Sequence, residues 1–414
     1  MRPRLPVVVM ALAALAGLFF TGWSTLDFVA HLDRQVHAIH CSFVPGLAAP
    51  DVSGASGCHT ALMSPYSSVF RTALWGGLPV TLPGMAVFAY LLYRAIDAGV
   101  RGLGDEVGLA RFTVAAWLLP VLTSVGFGWI ALMELGELCK LCVGIYGSSA
   151  VGFLAAIAGL VTAGRPAFAV DEEDEATEEQ AAVQEVPGFA VHAGRFGEGV
   201  LFVAAPVVLY LAMAPDFSSY VGACGSLPET EDRYDVLVPL GTARGGVPAI
   251  EVLDPLCPAC AGMEDRLEAS GLDVALDRRA ALFPLDDTCN WMVSSALHPG
   301  ACTVSEAVLC AGDEAPAVLA WAFEQGSTLR AAEAAEEGAA AKAVLARFPQ
   351  LKRCLGSTAV KQRLNRSLRW IVRNELPVLT PQLFVDGVKV CDDDTDLGLD
   401  WTLTRLVERA RGGR

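Results

Sequence analysis

The sequence predicts a multi-domain chain: an all-α transmembrane helical bundle followed by an α/β domain with a helical insertion. Three observations predict it. Of the 414 residues, 53% are hydrophobic and only 18% are charged, where soluble domains carry about a quarter. The apolar excess lies before residue 215. From Tyr234 onward the pattern changes to short apolar runs, one of them followed at once by Cys257-Pro258-Ala259-Cys260.

Charge and cysteine content narrow the function classes. A net charge of −16 argues against nucleic-acid binding, which needs a basic footprint. Much of that charge sits in one run, Asp171, Glu172, Glu173, Asp174, Glu175, Glu178 and Glu179, which reads as a solvated connector. Twelve cysteines with several close pairs point to an oxidising compartment.

A helix needs about 20 mostly apolar residues to cross a bilayer. Five stretches are expected to do so: residues 5–30, 72–93, the run between Arg111 and Glu134, 141–164, and 200–215, the shortest. Pro79, Pro83 and Gly84 interrupt the second, which is expected to pack inside the bundle where neighbours satisfy the freed backbone groups. The first stretch is long and lacks a small-residue cleavage site, so it reads as an uncleaved signal anchor.

The arginines set an orientation. Arg2 and Arg4, then Arg94, Arg101 and Arg111, then Arg165 and Arg195 all fall on one side of five spans, and positive flanks mark the cytoplasm. The expected organisation is a transmembrane four-helix domain (1–165), an acidic cytoplasmic linker (166–196), a fifth transmembrane helix (197–216) and an extracytoplasmic domain (217–414). The chain is therefore expected in the cell (inner) membrane, multi-pass, in contact with the lipid bilayer.

In the last domain, strands are expected at 235–240, 249–253 and within 272–283. Residues 288–373 are mainly helical, with an alanine-rich amphipathic piece at 331–348 that reads as a surface helix covering the sheet. A hairpin pairs 382–385 with 388–391 about Asp386-Gly387, a strong two-residue turn signal. A helix over 397–410 ends the chain. Strand, Cys-x-x-Cys at a helix start, helical insertion, hairpin and closing helix describe a thioredoxin-like α/β domain.

The Cys257-Pro258-Ala259-Cys260 spacing carries the soluble chemistry. A thiolate, not a thiol, attacks disulfides. A helix N-terminus favours the thiolate at Cys257, Pro258 suits the first turn, and Cys260 can resolve the mixed disulfide. A structural disulfide and half of a zinc site are the alternatives; zinc needs two further ligands, and His298 and other cysteines exist. The strand-before-helix context favours redox chemistry, with no metal.

Residues 248–411 resemble the DsbA-like branch of the thioredoxin superfamily, through this motif and Thr380-Pro381-Gln382-Leu383-Phe384-Val385-Asp386-Gly387. The resemblance implies a cis Pro381 against the active-site cysteines, a bond type that is cheap only before proline.

Cys139-Lys140-Leu141-Cys142 opens the fourth span on the outer side. Cysteines one helical turn apart at a membrane interface can exchange electrons with a lipid-soluble acceptor; a structural disulfide is the alternative. Residues 12–164 resemble the vitamin K epoxide reductase (VKOR) family: Cys139 to Tyr146, Cys58 with Ser64 six residues later, and Gly77-Leu78-Pro79-Val80 with Gly84. The resemblance implies that Cys41 and Cys58 are a loop pair, that Cys142 faces quinone, and that Ser64 and Tyr146 line the quinone pocket. The glycine-, serine- and alanine-rich stretch between Cys41 and Cys58 is longer than the family's. His40 and His59 flank these cysteines and stay outside the mechanism.

Six cysteines remain, Cys224, Cys289, Cys302, Cys310, Cys354 and Cys391, with fifteen possible connectivities; structural disulfides are the default. The implied function is oxidation of reduced exported proteins. Electrons pass from Cys257–Cys260 through Cys41–Cys58 and Cys139–Cys142 to a quinone, ubiquinone or menaquinone. A reductase or isomerase running the relay backwards would need an inward electron source, and the cytoplasmic loops contain no dinucleotide-binding glycine pattern. A thioredoxin-fold binding module with a permanently closed Cys257–Cys260 bond is the non-enzymatic alternative, marked by a Cys257 that resists alkylation after mild reduction.

Overall fold

Long uncharged runs satisfy their backbone groups internally only as helices, and the N-terminal half is built that way. The computed structural model describes residues 5–35, 37, 39–43, 56–102, 106–163, 189–241 and 245–412. They fall into two units, Met1–Val69 with Leu78–Ala214, and Phe70–Gly77 with Pro215–Arg414. The acidic run at 171–179 lies outside the described residues.

The first unit contains helices α1 (Leu5–Ala30) and α2 (Gly57–Met63), a two-stranded antiparallel ribbon β1 (Ser68–Val69) and β2 (Leu78–Pro79), and helices α3 (Thr81–Arg101), α4 (Val107–Met133), α5 (Lys140–Thr162) and α6 (Phe189–Met213). Helix α1 packs against α3 and α5, α4 against α5, and α6 against α3. Small residues let these helices approach closely. A Cβ added at Gly17 would run into the Phe88 ring, and one at Gly152 into Trp117. Tyr90 of α3 ties α6 by donating to the Arg195 carbonyl at 2.6 Å.

Four helical segments among the described residues are long and apolar enough to cross a membrane: Leu5–Asp33, Val107–Met133, Lys140–Thr162 and Val191–Met213. The stretch expected at 72–93 is corrected. Pro79 lies in β2, so the helix starts only at Thr81, with Pro83 in its first turn where a missing N–H costs nothing. The helix then runs into Arg94, Asp97 and Arg101, where Arg101 pairs with Asp97 at 2.6 Å, which lowers its apolar character. Helix α6 begins at Phe189 and is longer than the 200–215 expectation.

The second unit is mixed α/β. Strands β3 (Val238–Pro239), β4 (Val247–Leu253) and β5 (Leu276–Leu282), with the hairpin β6 (Gln382–Val385) and β7 (Val388–Lys389), form one sheet in the order β3-β5-β4-β6-β7. Only β4 and β5 run parallel, with Val247 opposite Leu276. The crossover between them is α7 (Pro258–Ser270). Asp386 and Gly387 both take positive φ, 50° and 77°, as a primed hairpin turn requires.

After β5 come α8 (Ala301–Ala311), α9 (Ala315–Ala335), α10 (Ala339–Arg347), α11 (Thr358–Arg373) and, after the hairpin, α12 (Leu399–Gly412). The piece expected as one helix over 331–348 is two. Gly338 breaks it at φ 86°, and the Glu333 carboxylate caps α10 by accepting from the Gly338 and Ala340 N–H groups. Helix α10 packs on α8 and α9. Strand side chains alternate faces. Leu253, Ala280 and Leu282 join α8, α9 and the two motif cysteines in one core. Ile250, Val252, Ala281 and Phe384 join Trp370 and Ile371 of α11 in another. Within this unit Arg71 pairs with Asp400 at 2.8 Å, and Trp75 packs edge-on to Phe217.

Three disulfides brace this unit: Cys224–Cys391, Cys289–Cys302 and Cys310–Cys354. Cys310–Cys354 closes a separation of 44 residues, for which loop-closure entropy gives about 4 kcal/mol. Replacing both cysteines by serine is expected to destabilise this unit by that order. Denaturant titration followed by proteolytic protection of α8–α11 measures it.

Candidate functional site

The structure gathers the sequence-predicted residues into two constellations. In the first unit, Cys41 and Cys58 form a disulfide across 17 positions, so the long intervening stretch does not keep them apart. Ser56 caps α2 by accepting from the His59 N–H, which puts Cys58 in the first turn. The next contact sets its neighbour. Gly57 lies so near the chain before α5 that an added Cβ would stand 2.7 Å from the Leu138 carbonyl oxygen. Cys58 is thereby brought beside Cys139, and both line one cavity of about 400 Å³.

Cys139 is the N-cap of α5, its sulfur accepting from the Cys142 N–H at 3.3 Å. Cys139 and Cys142 carry free thiols, and Tyr146, one turn on, is hydrogen-bonded to Cys142. Both cysteines, Tyr146 and Ser64 line the same cavity, whose walls are otherwise mostly apolar, with Phe28, Val87 and Ile145 among them. The Ser64 hydroxyl donates to the Ala61 carbonyl at 2.8 Å. Asp27 of α1 also faces the cavity. Its carboxylate accepts the His40 backbone N–H and lies 2.8 Å from His40 Nδ1, which ties the residue before Cys41 to α1.

A Gly57→Val side chain has no room against Leu138. Displacing α2 by about 1 Å is expected to slow thiol exchange between Cys58 and Cys139 roughly a hundredfold. Stopped-flow thiol trapping of the two cysteines, with Gly57→Ala as an intermediate case, reads this directly.

In the second unit, β4 delivers the chain to a turn in which the Cys257 N–H donates to the Asp254 carbonyl. Cys257 then caps α7 with Pro258 at its start. Cys257 and Cys260 are buried free thiols. The Thr380–Pro381 peptide is cis, and the Cys257 thiol donates to the Thr380 carbonyl at 3.8 Å. A hydrogen bond from the Cys260 thiol does most to lower the Cys257 thiol. Burial opposes it, while Thr380, the Cys260 backbone N–H and the charge of His298 add to it, leaving about 6 against an ordinary 9.0. Burial pushes the Cys260 thiol well up.

The pH dependence follows. A thiol lowered on folding stabilises the reduced protein fully above the ordinary 9.0, and this contribution is lost as pH falls through about 6. Alkylation of Cys257 in the reduced protein is expected to be half-maximal near 6, resolved by mass spectrometry of its peptide; a midpoint near that of an ordinary cysteine contradicts the geometry.

The chain matches the family described as "Vitamin K epoxide reductase family" over residues 8–157. That segment is a VKOR-family domain. A solved structure, the oxidoreductase DsbA from Xylella fastidiosa, is similar at 21% identity with a TM-score of 0.27, covering 42% of this chain and 92% of that chain. No curated protein matches. The match of the VKOR domain takes in Cys41, Cys58, Ser64, Cys139, Cys142 and Tyr146.

Gly57 and Asp27 escaped the sequence reading: Asp27 lines the VKOR cavity, and Gly57 sets α2 against the chain before α5. His40, noted there only for its place next to Cys41, is the residue that Asp27 holds. Asp254 stands three positions before Cys257, a spacing that flags it, whereas His298 reaches the same turn from far along the chain. Glu251, buried on β4, pairs with Arg278 of β5 at 2.6 Å, and burial pushes its carboxyl up.

Proposed function

We propose that the chain is a quinone-dependent membrane thiol–disulfide oxidoreductase that forms disulfide bonds in exported proteins. In this reading residues 1–165 are the VKOR-like four-helix domain, 166–196 a cytoplasmic linker, 197–216 the fifth transmembrane helix, and 217–414 a thioredoxin- and DsbA-like domain outside the inner membrane. With α3 counted as a span packed inside the bundle, the arginine flanks support that orientation.

The observation that carries the reading is the single cavity lined by Cys58, Cys139, Cys142 and Tyr146. It brings one cysteine of a loop disulfide next to a Cys-x-x-Cys dithiol in apolar surroundings. Its volume of about 400 Å³ lies in the usual range for small-molecule sites, about 300–1,000 Å³, with few polar groups among apolar walls. A quinone head fits that chemistry, with Tyr146 and Ser64 to hold it. Bound there, a quinone accepts two electrons and two protons.

The protein's own residues do the rest. A client thiolate attacks Cys257 of the Cys257–Cys260 disulfide, and Cys260 leaves and takes a proton, as its raised thiol favours. A second client thiolate attacks the client sulfur of the mixed disulfide, and Cys257 leaves as thiolate. The client departs oxidised. The Cys257–Cys260 dithiol next reduces Cys41–Cys58, and Cys58 attacks Cys139 of the Cys139–Cys142 disulfide. The loop bond re-forms, leaving Cys139 and Cys142 as a dithiol in the cavity. Tethering keeps the exchanging domain near the loop at an effective concentration of the millimolar order.

The test is turnover in liposomes loaded with ubiquinone or menaquinone and given a reduced dithiol peptide. Peptide disulfide should appear one for one with loss of quinone absorbance. Peptide oxidation without quinone reduction, or peptide reduction from the disulfide, contradicts the reading.

A further inference from the structure

In the relay one disulfide moves among three cysteines of the first unit. Cys58 sits in the first turn of α2 and Cys139 caps α5, so each is fixed by its own helix. Cys41 lies on neither a helix nor a strand. Its bond to Cys58 holds it only while that bond is closed. Once Cys58 has gone over to Cys139, the return of Cys41 depends on how well its own segment is held in place.

Asp27 supplies that hold. It is the only ionisable side chain in α1 and is buried in the last turn, a costly place for a carboxyl without partners. Both of its oxygens face one residue. Oδ2 accepts the His40 backbone N–H at 3.2 Å, and Oδ1 lies 2.8 Å from His40 Nδ1. The contact needs no charge on the ring, since a neutral imidazole with its proton on Nδ1 donates to Oδ1. Trp23, one turn earlier on α1, meets the His40 ring edge-on, with ring centroids 5.2 Å apart. The same end of α1 grips the segment a second time. The His31 ring lies between two backbone carbonyls, its Nδ1 2.7 Å from that of Asp27 and its Nε2 3.0 Å from that of His37.

We propose that Asp27, through His40, is the positioning residue that keeps Cys41 within reach of Cys58 while the loop bond is open, and so favours the return step of the relay. In that step Cys41 gives up its proton and its thiolate attacks Cys58 of the Cys58–Cys139 bond. The Cys41–Cys58 bond forms and the Cys58–Cys139 bond breaks. Cys139 leaves with the electron pair and takes up a proton, so one disulfide replaces another and no oxidant or reductant is consumed. The inference rests on the reading of Cys58 as the sulfur that passes between Cys41 and Cys139.

The experiment uses the oxidised full-length Cys142→Ala protein, in which Cys41, Cys58 and Cys139 share one disulfide and one thiol. Acid quench, alkylation and peptide mass spectrometry give the ratio of Cys58–Cys139 to Cys41–Cys58 bonds, with Asp27 intact, as Asp27→Ala and as Asp27→Asn. Alanine removes both contacts to His40. Asparagine keeps both: its carbonyl accepts the His40 N–H, and its amide donates to Nδ1 of the other ring tautomer. The ratio is expected to rise roughly tenfold in Asp27→Ala, as the loss of two ordinary hydrogen bonds gives, and to stay near the parent value in Asp27→Asn. An unmoved ratio in Asp27→Ala overturns the proposal. So does an equal rise in both variants, which would trace the effect to the carboxyl group itself and not to its grip on His40. If Asp27→Ala does not fold, His40→Ala removes the ring and leaves the backbone N–H; a raised ratio there supports the proposal and an unmoved one overturns it. Absence of any Cys58–Cys139 bond in the parent and the variants sinks the relay and this inference with it, whereas a bond that forms at an unmoved ratio sinks only the role of Asp27.

Discussion

A Cys257→Ala protein is expected to lose client oxidation by at least about a thousandfold, because in the proposed relay Cys257 is the sulfur that receives the client. Cys260 is no substitute: burial pushes its thiol well up, so little thiolate exists near neutral pH. The loop and membrane cysteines stay intact in this variant. A small thiol such as dithiothreitol, able to reach the loop directly, should still drive quinone reduction. Measuring both activities on one preparation distinguishes a lost nucleophile from a damaged bundle, which would lose both.

The second large effect belongs to Cys142→Ala. With no partner for Cys139, the membrane disulfide cannot form, and turnover with quinone should fall at least about a thousandfold. Client oxidation does not vanish at once. The oxidised variant still holds the Cys41–Cys58 bond and can hold Cys257–Cys260, so it should give a burst of at most one client disulfide for each and then stop. Rapid-quench counting of client disulfides per protein checks the burst. Cys139 lies beside Cys58 through the close approach of Gly57 to Leu138, so a trapped Cys58–Cys139 bond should accumulate, visible as a cross-linked peptide. Continued steady turnover would mean that electrons leave by another route.

Much of this was legible in the chain because its signals are local. Apolar runs mark α1, α4 and α5, Asp386-Gly387 marks the hairpin, and the strand running into Cys257-Pro258-Ala259-Cys260 marks β4 and α7. The misread helix shows the limit of such signals: hydropathy from residue 72 continues through the β2 ribbon, while the positive φ of Gly76 and Gly77 and the pairing of Leu78–Pro79 with Ser68–Val69 keep the helix from starting earlier. Likewise the alanine-rich 331–348 run is periodic throughout, and the positive φ of Gly338 that splits it depends on the Glu333 cap. Cysteine pairings such as Cys310–Cys354 and partners such as Asp254 with His298 are set by tertiary contacts between distant segments, for which spacing carries no record. The cavity is of the same kind: its cysteines are visible as motifs, but the apolar walls that unite them come from several different helices.

The central claim is that the Cys257–Cys260 pair empties its electrons through the VKOR cavity. The most direct measurement is the redox state of that pair in cells, fixed by acid quench and alkylation, in the intact protein and in Cys142→Ala. The account predicts a mainly oxidised pair in the intact protein and a reduced pair in the variant. A pair oxidised in both would contradict it by uncoupling the two units, and a pair reduced in both would make the chain a reductase.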